Sequence, residues 1–167
     1  MKTTLKILAV LIVMVGFSAA SYAQSNASAT IITPISIAVV DHMNFGNVAA
    51  SASLGTVVLS TAGARSATGG ASLPTTTGTV SAANFTVSGQ ANFTYSITLP
   101  SSVTITRDGG SETMTVNTFT SNPATTGTIG GGGTQALSVG ATLNVAASQV
   151  AGAYTSGATF NVTVAYN

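Results

Sequence analysis

Apolar and polar side chains alternate along most of this 167-residue chain, and the alternation is sharpest at its end. Phe160, Val162, Val164 and Tyr166 alternate with Thr159, Asn161, Thr163 and Ala165, so residues 158–167 predict a β-strand with one dry face. The penultimate aromatic implies that this strand is held in a sheet instead of fraying. Near the start, Ala29, Ile31, Ile35, Ile37 and Val39 share one parity, broken by Thr33, while Ser28, Thr30 and Ser36 share the other. Pro34 has no backbone donor, which places it at a sheet edge or at a break between two short strands. Residues 24–33 are therefore expected to act independently of the rest of the chain, as an N-terminal extension or donor strand.

The chain between these ends is punctuated by turn residues. Asp41 to Asn47 predicts a turn with Phe45 as a buried anchor and Gly46 at a backbone angle that other residues avoid. Thr56 to Ser60 reads as a short strand, and Gly63 to Gly70 as a glycine-rich loop whose Arg65 lies on the surface or pairs with Asp41. Ala83-Asn84-Phe85-Thr86-Val87-Ser88 is echoed by Ala91-Asn92-Phe93-Thr94-Tyr95-Ser96 across Gly89-Gln90, the pattern of a hairpin with both apolar faces on one core. Val103–Thr106 and Thr113–Thr120 flank Arg107-Asp108-Gly109-Gly110 as a second hairpin. Ser121 to Thr134 is expected to be a long loop, Leu137 to Val145 a strand, and residues 147–157 a connection in which Tyr154 touches the core. No segment after the first residues carries helical periodicity with caps. Seven or more short strands separated by turn signals predict an all-β fold, an antiparallel β-sandwich.

The N-terminus changes where this fold is expected to reside. Lys2 and Lys6, an apolar run from Ile7 to Phe17, and Ser21-Tyr22-Ala23 together predict a signal peptide over residues 1–23, leaving a single domain over 34–167 after the extension. A signal peptide implies secretion through the general secretory route to the periplasm, then to the cell surface or beyond. The apolar run is shorter than the roughly 20 residues of a membrane-spanning helix, so no transmembrane segment is expected in the mature chain.

Charge and composition then remove whole classes of chemistry. Beyond residue 23 the charged side chains are Arg65 and Arg107 against Asp41, Asp108 and Glu112, with no lysine. A chain that cannot build a basic face is not expected to bind nucleic acid. Cysteine is absent, which excludes disulfides, thiolate nucleophiles and cysteine metal sites. His42 is the sole histidine, and its neighbour Asp41 points to the opposite face of an extended chain, so a Ser-His-Asp arrangement is not expected. Gly130 to Gly133 lacks the lysine and following helix of a phosphate loop. No catalytic residue, cofactor or metal ligand is assigned, and the chain is read as a non-enzyme.

Five stretches carry a resemblance to a known family: Ile32-Thr33-Pro34-Ile35-Ser36-Ile37, Asn44-Phe45-Gly46, Arg65-Ser66-Ala67-Thr68-Gly69-Gly70, Gly140-Ala141-Thr142-Leu143-Asn144-Val145, and Phe160 to Asn167. With them the chain resembles the bacterial secreted family called domain of unknown function number 4402, whose members are similar in general plan to fimbrial subunits. The resemblance implies an immunoglobulin-like or pilin-like β-sandwich at the cell surface. In chaperone-usher pilins the N-terminal extension of one subunit completes the sheet of the next, which is β-augmentation: backbone pairing supplies affinity and alternate side chains supply specificity. Tyr166 matches their penultimate aromatic, whereas the usual cysteine pair is missing and Tyr154 stands where a glycine is common. The resemblance implies as partners copies of the chain or related subunits, with a periplasmic chaperone and an outer-membrane usher.

The expected interface is accordingly Ala29, Ile31, Ile35, Ile37 and Val39 at the start and Phe160, Val162, Val164 and Tyr166 at the end. The expected function is that of a secreted structural subunit of a fimbria-like or cell-surface assembly. The alternative is a self-complete monomeric adhesion or carbohydrate-binding module.

Overall fold

The computed structural model describes residues 21–155 and 160–167. The apolar core of the expected signal peptide, Ile7 to Phe17, lies outside the described residues. The chain divides into two units, residues 1–31 and 32–167. In the first, residues 21–31 are exposed and carry no strand.

The second unit is all-β, with no helix among the described residues. Its strands are β1 (Ser36–Asp41), β2 (Ala49–Leu59), β3 (Arg65–Ser72), β4 (Ala83–Ser88), β5 (Thr94–Thr98), β6 (Ser102–Arg107), β7 (Thr113–Asn122), β8 (Thr126–Thr128), β9 (Thr134–Val145), β10 (Tyr154–Thr155) and β11 (Thr163–Tyr166). Every pairing among them is antiparallel. Eight strands form one sheet, in the order β1-β4-β9-β7-β6-β10 with β2 and β3 branching from β9, and three form another, in the order β11-β5-β8.

β9 is the spine of the larger sheet. β7 pairs along one flank of it, while the other flank is divided: β4 takes Thr134 to Val139 and β2 takes Ala141 to Val145. Gly140 stands at the handover, where a Cβ would overlap the carbonyl of Leu59. The alternation of β9 then buries Leu137, Val139, Ala141, Leu143 and Val145 on one face. These feed two cores: one with Phe45, Val57, Leu59 and Val116, the other with Phe85, Val87, Tyr95 and Ile129. Full burial of each such side chain contributes roughly 1.5–3 kcal/mol of hydrophobic free energy. The second core draws on both sheets, through β4 and β9 on one side and β5 and β11 on the other.

Several expectations hold. Phe45 is buried, Gly46 adopts φ 64°, and β6 and β7 form the hairpin around Arg107 to Gly110. At the base of that hairpin the Arg107 Nε donates to a Glu112 carboxylate oxygen at 2.7 Å. That hydrogen bond holds the Glu112 carboxyl below, and the Arg107 guanidinium above, their ordinary values.

Other expectations are corrected. The stretch from Gly63 to Gly70 is mostly strand, since β3 pairs with β2 from Arg65 onward. The Arg65 guanidinium donates to the backbone carbonyls of Phe45 and Asn47, so it staples the turn after β1 instead of pairing with Asp41. Asp41 accepts from the Asn84 side chain at 3.0 Å. The loop from Ser121 to Thr134 contains β8, and strand structure between Thr56 and Ser60 begins earlier, at Ala49.

The largest correction concerns the echoed segment: β4 and β5 are not a hairpin but belong to different sheets. The backbone donors of the connection go elsewhere, Gly89 N–H to the Gly133 carbonyl and Asn92 N–H to the Ile129 carbonyl, and Asn92 takes φ 66°. The chain therefore arches across the core, and Phe85 and Val87 face Tyr95 from the opposite sheet.

Candidate strand-docking site

The chain's two structured ends meet. Among the described residues β1 pairs only with β4 and β11 only with β5, so each is an edge there, and the two edges lie in contact on the same side of the second unit. Ile35, Ile37, Phe160, Val162, Val164 and Tyr166 all pack against the second core. Val39 is 55% exposed on β1. Ala29 and Ile31 belong to the first unit, where both are exposed and Ile31 retains 93% of its accessible surface. The terminal strand is shorter than its alternation predicts, because pairing begins at Thr163; residues 158–159 of the expected span lie outside the described residues.

An unpaired flank is a row of backbone donors and acceptors that favours another strand. Asn167 N–H donates to the Thr94 carbonyl, and pairing continues through Ala165 opposite Ser96 and Thr163 opposite Thr98. Antiparallel alternation then turns the backbone N–H and C=O groups of Val164 and Tyr166 away from β5, onto the open flank. The remaining edges offer less. β8 and β10 have three and two residues, and β3 is interrupted by Gly69 at φ 66°.

Tyr166 also anchors the root of the N-terminal extension, which its matching of an aromatic pattern did not reveal. Its hydroxyl donates to the Thr33 carbonyl at 2.8 Å and accepts from the Gln90 N–H at 2.5 Å, while Thr33 N–H donates to the Gln90 side-chain oxygen at 3.2 Å. Phe93 meets the Tyr166 ring edge-on, with centroids 5.8 Å apart. Gly89 leaves the room, since a Cβ there would overlap the phenolic oxygen. The sequence discloses only the alternating parity of these residues; the clasp joins positions far apart along the chain.

Tyr166→Phe keeps the packing and removes both hydroxyl bonds, for an expected loss of about 1–2 kcal/mol. Limited proteolysis with N-terminal sequencing checks this: trimming is expected to stop before Thr33 in the parent and to run to Ile35 or beyond in the variant.

Next to this edge lies a cavity of about 1060 Å³. Its floor includes Phe45, Ile105, Met114, Phe119 and Phe160, with Asp41, His42, Gln149 and Tyr154 also in its lining. The Phe119 and Phe160 rings meet tilted at 44°, with centroids 5.3 Å apart. Tyr154, expected as a core contact, is half-buried; its hydroxyl donates to the Val150 carbonyl and accepts from the Gln149 amide. Ser81 donates its hydroxyl to the His42 backbone carbonyl at 2.5 Å. With that serine on the main chain and Asp41 on Asn84, the three residues form no Ser-His-Asp relay.

An all-β antiparallel unit with two adjoining edges open among the described residues is the class that this geometry defines. The chain belongs to the family described as Domain of unknown function (DUF4402), whose model matches residues 35–166. No curated protein and no solved structure matches it. No helix among the described residues is long and apolar enough to cross a membrane.

Proposed function

We propose that this chain is a secreted, non-enzymatic structural subunit of a fimbria-like or cell-surface assembly, built as an immunoglobulin-like β-sandwich. In this reading residues 24–32 of one copy add a strand along the β11 edge of the next. The observation that carries it is the one-sided pairing of β11, which among the described residues leaves the Val164 and Tyr166 backbone groups open beside the equally open β1. Two features lend support. The extension presents alternating Ala27, Ala29 and Ile31 outside any strand, and it carries no charge to desolvate. The Tyr166 clasp fixes its root at Thr33, and nine extended residues reach on the order of 30 Å, more than the four-residue edge requires.

Partners on this reading are copies of the chain or related subunits, delivered across the periplasm by a chaperone and an outer-membrane usher. Size-exclusion chromatography and denaturant unfolding of the secreted form, with and without residues 24–32, test it. The parent is expected to self-associate and the truncated chain to remain monomeric or lose stability. A stable monomer in both cases rejects the proposal and leaves a self-complete adhesion module.

A further inference from the structure

The outer face of the larger sheet carries a second, unrelated pattern. Pairing registers align Thr68, Thr56, Asn144, Thr115 and Thr104 in one row across β3, β2, β9, β7 and β6. The adjacent row is Ser66, Val58, Thr142, Asn117 and Ser102. Neither row holds an ionisable side chain, and Val58 is the single apolar member. Soluble proteins ordinarily cover such a face with mixed charges. Here a repeating array of hydroxyl and amide groups takes their place, stepping about 4.8 Å from strand to strand.

The first row runs into a shallow trough of about 470 Å³, within the size range of ligand clefts. Thr56, Thr68, Thr113, Thr115 and Asn144 supply its polar lining, and Leu54, which is 74% exposed, supplies its apolar surface together with Met114, Val145 and Ala146. The lining is partly organised in advance: the Thr56 and Thr68 hydroxyls bond to each other at 2.7 Å, and the Asn144 amide donates to the Thr115 carbonyl at 3.0 Å. That bonding leaves the Asn144 side-chain carbonyl oxygen, and one hydroxyl hydrogen of the threonine pair, without a hydrogen-bond partner among the described residues.

We propose that this trough binds a neutral polysaccharide chain lying across the strands. The chemistry of the lining selects the class. A sugar ring combines hydroxyl edges with an apolar face, which the threonine row and Leu54 complement, and the strand spacing is comparable to the advance of one ring along an extended glycan. The absence of charge disfavours acidic polymers and nucleic acid, for which no counter-ion is present. The backbone groups of β2, β9 and β7 are already paired on both flanks, so a peptide cannot join these three strands by strand addition, and the β3 edge is interrupted at Gly69. The proposal goes beyond strand exchange and stands whether or not subunits polymerise.

The test is retention of the purified protein on cellulose, chitin and starch granules, with alginate as an acidic comparison and soluble cello-, chito- and malto-oligosaccharides in calorimetry. The parent is expected to bind at least one neutral glycan and to ignore alginate. Thr115→Lys and Thr68→Lys, the latter on the exposed edge strand where folding tolerates it, are expected to weaken that binding by about tenfold or more, equivalent to about 1.4 kcal/mol. Ser102→Lys, on the same face but outside the trough, is expected to bind as the parent does. Circular dichroism establishes that each variant folds. Failure to bind any neutral glycan, binding unaffected by Thr68→Lys, or retention on alginate alone overturns the proposal, as does self-association through this face in place of glycan retention.

Discussion

Tyr95→Ala is expected to lower the unfolding midpoint by on the order of 10–20 °C, from a loss of about 3–5 kcal/mol in a domain of this size. Tyr95 is fully buried between the two sheets, and its ring is the largest side chain in the core so enclosed. Truncation removes the packing of β5 against β4 and β9 and leaves a cavity in the core that the two sheets share. Its hydroxyl donates to the Gln135 side chain at 2.8 Å, so Tyr95→Phe isolates a smaller loss of about 1 kcal/mol.

Burial also raises the phenol above its ordinary value of 10.0. The folded state therefore holds that proton more tightly than the unfolded chain does. Stability from this group is complete below the ordinary tyrosine range and declines as pH rises through it. Tyr95→Phe should remove that alkaline decline, which thermal melts across pH 8 to 11, roughly spanning the reference value, would show directly.

Gly140→Val is the second large effect, and it acts by a different mechanism. The added Cβ overlaps the Leu59 carbonyl at the point where β4 and β2 share one flank of β9, and backbone cannot move aside as a side chain can. The cost is expected at or above the upper end of the roughly 1–3 kcal/mol typical of overpacking. Hydrogen exchange should localise the damage to the pairing of β2 with β9, with β4 retaining protection. Uniform destabilisation without that local signature would show that Gly140 is not the handover point.

The two effects mark what side-chain alternation does and does not disclose. Parity identified the buried faces of β4, β5, β9 and β11, because period two decides which side of a sheet a residue occupies. It did not decide which strand lies alongside. Phe85 and Tyr95 face one core whether β4 and β5 form a hairpin or arch between sheets, so the echoed sequence alone favoured the commoner hairpin. The correct partner depended on where the donors of Gly89 and Asn92 go, and their acceptors, the Gly133 and Ile129 carbonyls, lie some forty residues downstream.

Glycine content misled similarly at β3. Gly69 and Gly70 suggest a loop, yet they serve close approach, since a Cβ on either would meet the backbone of β2. Arg65 offered two oxygen-rich destinations, a carboxylate or carbonyls, and composition cannot rank them. The packing of Ile35, Ile37, Phe160, Val162, Val164 and Tyr166 against one core was legible in their alternation. The clasp that joins Thr33, Gln90 and Tyr166 was not, because hydroxyl-to-carbonyl contacts leave no periodic trace.

If subunits share strands, a neighbour's extension must occupy the open flank of β11. Amide hydrogen exchange at Val164 and Tyr166, read at assembling concentration in the parent and in the chain lacking residues 24–32, measures that occupancy. Slow exchange in the parent and fast exchange in the truncated chain is the predicted result. Equal rates in the two proteins, fast or slow, would contradict it.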